Sequence, residues 1–169
     1  MNKSILIAPP RTSVSELTKI AMVAALYVAV TVLLSAFSFG AVQLRLSEMF
    51  NYLALYNKRY IVAVTLGVVI ANSMSPTAIL DVPIGGISTF LILVLCRKVT
   101  KNITNDILKM VITALIFAVS MFTVAGQLNI LFDFPFWYTW LTVGLGELLS
   151  MTVGGITIYL LNKKIDLSK

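Results

Sequence analysis

The sequence predicts an all-α integral membrane bundle of six transmembrane helices, with the N- and C-termini cytoplasmic. Three observations predict it. Hydrophobic residues make up 59% of the chain and charged residues only 12%, whereas an ordinary soluble domain is roughly a quarter charged. A soluble fold of 169 residues has too little polar area to cover so much apolar surface, a problem that a bilayer removes by acting as the solvent. The apolar residues also fall into long uncharged runs with the basic residues between them. Basic residues so placed are topology signals, not a nucleic-acid surface, so no nucleic-acid partner is expected despite a net charge of +6.

Residues 1–169 read as a single transmembrane domain. Residues 1–15, with Pro9 and Pro10, form a short tail. The first span is expected at about 17–38. Its run, Ile20–Phe39, holds 20 uncharged residues. Lys19 and Ser35-Ala36 around it have the form of a signal peptide, but the run is longer than a usual signal core and is read as a mature helix. The second span, 43–56, is the doubtful one: 14 residues, roughly 21 Å as an α-helix, carrying Arg45 and Glu48. A span so short must be shielded by its neighbours or meet water. The third, 59–74, is stopped by Asn72, Ser73, Ser75 and Pro76. The fourth is expected at 82–96, the fifth at 107–128, and the sixth at 136–161 with Glu147 as its only charge. If 43–56 crosses and the N-terminus lies inside, twelve of the thirteen Lys and Arg residues are cytoplasmic, with Arg45 alone outside. Five crossings leave three outside at best, so the positive-inside rule favours six.

Several function classes are disfavoured. One cysteine, Cys96, and no histidine allow no internal disulfide and argue against a zinc site or a histidine-based triad. Cys96 reads as helix packing. No cofactor and no metal is expected. The chain lacks the G-x-x-x-x-G-K pattern, so it does not hydrolyse ATP through a P-loop. Inverted halves are not evident, which counts against a secondary transporter.

The polar residues inside the spans carry the functional signal. In the six-span arrangement Glu48, Asp81, Asp133 and Glu147 lie in the outer half or the outer loops, with only Arg45 opposing them. An acidic outer side suits a neutral or cationic ligand. Glu147 is the sharpest candidate, because a carboxylate near mid-membrane costs about 2.5–3.5 kcal/mol on insertion scales; the alternative is a paired or protonated structural acid. Trp140 stands two turns before it on the same face, with Gly144 between, leaving room for a flat ligand; equally, Trp137, Tyr138 and Trp140 form an interfacial aromatic belt. Arg45, Glu48, Asn51 and Tyr52 make a second polar stripe, read as a pocket wall or as a local ion pair easing insertion. Asp81 precedes Val82-Pro83-Ile84-Gly85-Gly86, read as a turn with exposed amides, and is a solvated loop acid or a ligand clamp. Asn72 caps its helix or binds ligand; Gln127 and Asn129 are weaker candidates. On the first span Ala21, Ala25 and Ala29 form a strip that lets another helix approach closely, within the chain or from a partner.

The segments Val42-Gln43-Leu44-Arg45-Leu46-Ser47-Glu48, Asn51-Tyr52, Val82-Pro83-Ile84-Gly85-Gly86 and Gly146-Glu147-Leu148-Leu149 together resemble the queuosine-precursor transporter family QueT, the substrate-binding S component of energy-coupling factor (ECF) transporters. The resemblance runs from about Ser15 to Asn162. It implies six helices with a ligand cavity near the outer face of the bacterial cell membrane. It also implies a partner module of a transmembrane coupling protein and two ATPase subunits, docked on the strip matched by Ala21, Ala25 and Ala29. The implied ligand is a deazaguanine such as 7-aminomethyl-7-deazaguanine (preQ1). Its guanine edge offers two adjacent N–H donors to one carboxylate, its aminomethyl cation suits a second acid, and its ring suits an aromatic face. Glu147 or Glu48 would take the edge, Asp81 or the other glutamate the amine, and Trp140 the ring. Besides a small structural or assembly subunit with no ligand, two alternatives stand. One is an S component for another vitamin or nucleobase. The other is an intramembrane enzyme using Glu147 and Asp81 as acid and base.

Overall fold

The computed structural model describes residues 13–38 and 43–168. Residues 1–12 of the expected tail, and Val42 of the Arg45–Glu48 segment, lie outside the described residues. The described residues are helical with no strand. In chain order the elements are α1 (Val14–Leu33), α2 (Ser35–Ser38), a 3₁₀ helix (Leu46–Tyr52), α3 (Leu53–Tyr56), α4 (Arg59–Asn72), α5 (Ala78–Thr100), α6 (Asp106–Ser120), α7 (Phe122–Phe132) and α8 (Phe136–Asn162). Among the described residues, four helical stretches are long and apolar enough to cross a membrane: α1, α5, α6 with α7, and α8. The α4 helix is apolar but only 14 residues long, roughly 21 Å. The chain is thus a multi-pass membrane protein, its outward surface carrying large apolar side chains along each long helix.

Local chemistry sets the helix ends. Ser13 caps α1, its hydroxyl accepting the Glu16 N–H at 3.2 Å. Ser13 and Glu16 have the spacing of a capping box, which starts the helix three residues before the expected 17. The α5 helix is longer than the expected 82–96 at both ends. Asp81, expected in a loop, lies in its first turn, and its carboxylate reaches back to the Ser75 and Thr77 hydroxyls. The expected Val82–Gly86 turn does not exist: Pro83 sits within α5. Gly85 and Gly86 serve a close helix crossing, since a Cβ there would strike Asn72 Nδ2 and Val69 Cγ2 on α4. The fifth span is broken at Met121, whose N–H turns to Ala118 O at 3.3 Å. Asp133, in the left-handed region at φ 56°, ends α7 before Pro135 opens α8.

The 43–56 segment also departs from expectation. It is helical only from Leu46, and its first seven residues wind as a 3₁₀ helix before a single α turn. At three residues per turn, i and i+3 eclipse, so Arg45, Glu48 and Asn51 stack on one edge and bond in series. The tighter winding keeps the reach at about 20 Å despite fewer helical residues. This segment lies between α1 and α8. Gly154 of α8 lets it pass, because a Cβ there would lie 2.8 Å from Met49 Cα. The α1 helix packs most extensively against α4, with the Tyr27 ring filling the space a Cβ at Gly67 would need, 2.8 Å from Tyr27 Cβ. Tyr27, Val64, Val68, Leu93, Met151 and Ile158 are the fully buried centre.

On α1 the buried face is Val23, Ala24, Tyr27 and Thr31. Ala21, Ala25 and Ala29 lie on the opposite, exposed side. Packing within the chain, one of the two readings of the strip, is therefore not what occupies it.

Candidate functional site

A cavity of about 360 Å³ opens at the end of the bundle where α1 and α7 finish and α5 begins. Its size falls within the range usual for small-molecule sites. The 3₁₀ segment, α4, α5, the α6–α7 pair and α8 all contribute to its wall. Of the seven residues the sequence singled out for ligand, the structure brings five to this wall: Arg45, Glu48, Asn72, Asp81 and Glu147. Asn51 is fully buried beside it, bonded to Glu48. Trp140 is not on the wall. Its indole N–H donates to Val119 O at 3.0 Å, and its ring packs with Phe136 and Trp137. The aromatic lining comes instead from Phe117, Phe132 and Phe134.

The polar wall is a chain of bonds between elements far apart in sequence. The Tyr27 hydroxyl donates to Glu48 Oε1 at 2.6 Å, and the Asn51 amide donates to Oε2 at 2.5 Å. Arg45 Nη1 lies 3.8 Å from Glu48 Oε1 and donates to Asn72 Oδ1 at 3.1 Å. Asn72 Nδ2 donates in turn to the Asp81 carbonyl at 2.8 Å. The two expected roles of Asn72 resolve into a third: it ties α4 to α5 and steadies Arg45. The Asp81 carboxylate is occupied too. Oδ2 accepts from the Thr77 hydroxyl at 2.6 Å and from Ser75, and Oδ1 accepts from the Gln127 amide.

Glu147 differs from both. It is only 3% exposed, near the middle of α8, and on the cavity wall. Its Oε1 is buried with no hydrogen-bond partner among the described residues. Buried polar atoms are normally satisfied, and a buried acceptor left alone costs about 1–3 kcal/mol. In this mostly apolar cavity Glu147 Oε1 is an acceptor without a donor, whereas the Glu48 and Asp81 carboxylates are bonded, and such an acceptor can take an N–H donor or a cation. Nothing in it assembles a nucleophile with a base, and Asp81, the partner an acid–base pair would need, already accepts three hydrogen bonds.

Sequence reasoning passed over Tyr27, Ser75 and Thr77, and ranked Gln127 low. For Tyr27 a signal existed: with Val23, Ala24 and Thr31 it repeats at three and four residues, and two hydroxyls on one face of an apolar helix ask for polar partners. Thr31 finds Ser47 at 2.6 Å. For Phe117, Phe132 and Phe134 no signal separated them from lipid-facing aromatics.

The comparisons with known proteins agree in kind. A family model described as QueT transporter matches residues 17–163. A protein described as "Queuosine precursor transporter QueT", from Lactococcus lactis subsp. cremoris (strain MG1363), is 40% identical over 163 residues, covering 91% of this chain and 96% of that one. No solved structure matches the chain.

Proposed function

This chain belongs to the QueT transporter family, and we propose that it is the substrate-binding S component of an ECF importer, taking up a queuosine precursor through the cavity beside Glu147. The family is one of transporters, not enzymes. The ligand of this reading is a deazaguanine such as preQ1. The single observation that carries it is the buried Oε1 of Glu147, without a hydrogen-bond partner on a wall where the Glu48 and Asp81 carboxylates are bonded. Adjacent N–H donors of a guanine edge, or an aminomethyl cation, supply what that carboxylate lacks, and a charge-assisted bond in a desolvated site is a strong one. Because Glu48 and Asp81 already accept from chain donors, Glu147 makes the principal polar contact in this reading. Phe117, Phe132 and Phe134 offer the ring its apolar surface, the role first given to Trp140.

The membrane arrangement that goes with this function has six crossings in the bacterial cell membrane, both termini cytoplasmic and the cavity facing out. Its support is the separation of charge along the bundle. The cavity end carries Glu48, Asp81 and Glu147 on the wall and Asp133 at the end of α7, against Arg45 alone among the described residues, and the other end groups Arg97, Lys98, Lys101 and Lys109 around one pocket. The coupling protein docks on the exposed Ala21, Ala25 and Ala29 strip, where small side chains admit a close helix, and the two ATPase subunits of that module supply the energy. Calorimetry of the purified chain against a panel of deazaguanines, guanine and vitamins tests the ligand. Tightest binding of an aminomethyl deazaguanine is expected. Preference for an unrelated vitamin would sink the assignment.

A further inference from the structure

We propose that the basic end of the bundle holds the phosphate headgroup of an anionic phospholipid, in a second pocket between α5, α6 and the α3–α4 junction. The pocket encloses about 430 Å³. Its polar wall is Arg97, Lys98, Lys101 and Lys109, and its apolar wall includes Leu55 and Val94. The charge is far from balanced. Asp106 is paired with Lys109 at 3.3 Å, while Lys98 and Lys101 form no ion pair among the described residues. Arg97 is held in place by its own backbone contact, Nη1 donating to Ala54 O at 2.7 Å. Four cations against one acid around a concave site call for an anion.

The apolar wall identifies the anion as a lipid. Val94 is 41% exposed, and the next turns of α5 towards the bundle centre present Leu91 and Phe90 outward as well. The pocket therefore continues into the surface that faces acyl chains. A free phosphate uses only the basic half, whereas a phospholipid fills both, with its headgroup on the lysines and its glycerol and first methylenes along Val94. Basic pockets between helices at a membrane surface bind anionic headgroups by this division. The proposal requires only that this end of the bundle meets a membrane surface, on either side, and stands independently of the ligand assigned to the outer cavity.

Native mass spectrometry of the delipidated full chain, titrated with phosphatidylglycerol, phosphatidylcholine or inorganic phosphate, tests it. One phosphatidylglycerol per chain is expected to bind tightly, with phosphatidylcholine much weaker. The K98Q/K101Q pair should weaken phosphatidylglycerol binding roughly 10- to 30-fold, and the charge-preserving K98R/K101R pair should retain it. The K163Q/K164Q pair, which removes the same charge from the same end but not from the pocket, should change binding by less than about twofold. Equal losses in both glutamine pairs overturn the site in favour of diffuse attraction. Loss in the arginine pair overturns the charge argument. Inorganic phosphate binding as well as phosphatidylglycerol overturns the lipid assignment.

Discussion

On the wall built from the 3₁₀ helix and α4, with Tyr27 of α1 behind it, both carboxylate oxygens of Glu48 have donors; on the α8 wall, Glu147 Oε1 has none among the described residues. Both acids are buried, and both line one cavity. The difference is in what removing them should do. A buried acid that accepts from two side chains and pairs with the charge of a third is part of the frame, and its loss strands those partners. A buried acid with an oxygen that no donor meets contributes less to holding the fold.

The largest effect expected from this contrast is on stability, at Glu48. Glu48→Ala leaves the Tyr27 hydroxyl and the Asn51 amide without their acceptor and takes the carboxylate of the Arg45 ion pair away, and breaking a buried pair by removing one partner costs about 3–5 kcal/mol. Thermal unfolding of the detergent-solubilised protein should show a much lower midpoint. An unchanged midpoint would erase the distinction between the two walls. Glu147→Gln comes next. It removes the charge and turns one acceptor oxygen into a donor, so ligand affinity should fall roughly 10- to 150-fold, the loss of one charge-assisted bond of about 1.5–3 kcal/mol. Its unfolding midpoint without ligand should hold or rise. Calorimetry and thermal unfolding together read both halves of that statement, and wild-type affinity in the variant would make Glu147 a structural acid.

Trp140→Phe sharpens the comparison by removing a group the cavity does not use. The indole bond to Val119 O is lost, at about 1 kcal/mol of stability, while ligand affinity stays at the wild-type value. A large loss of affinity would return Trp140 to the binding site. The smallest effect on the isolated protein is expected at Ala25→Leu, on the exposed side of α1. Ligand binding and the unfolding midpoint should be unchanged, yet uptake by cells carrying the complete transporter should be abolished, because the larger side chain holds a partner helix away. Uptake at the wild-type rate would leave the strip without a function.

The bilayer makes much of this fold legible from sequence. Every backbone polar group in hydrocarbon must be bonded within its own segment, so uncharged runs near 20 residues declare helices, and α1, α4 and α8 lie close to where composition places them. Burial cost works in the same way for single residues: Glu147 stands out because an acid in an apolar run demands an explanation, and it lies on the cavity wall. What composition does not carry is the identity of each polar group's partner. Tyr27 meets Glu48 across 21 residues and Asp81 meets Gln127 across 46, and such pairings arise only once the helices pack. The same holds for Gly85 and Gly86. Flexible backbone in a turn and close approach at a crossing both call for glycine, and only the position of α4 decides between them. Trp140 likewise sits on Glu147's side of α8 by helical spacing, yet its indole bonds Val119 O across to α6 and it is not on the cavity wall. Residue type and spacing set which groups must be satisfied; the packed arrangement alone decides by what, and so that Glu147 Oε1 is buried without a hydrogen-bond partner among the described residues.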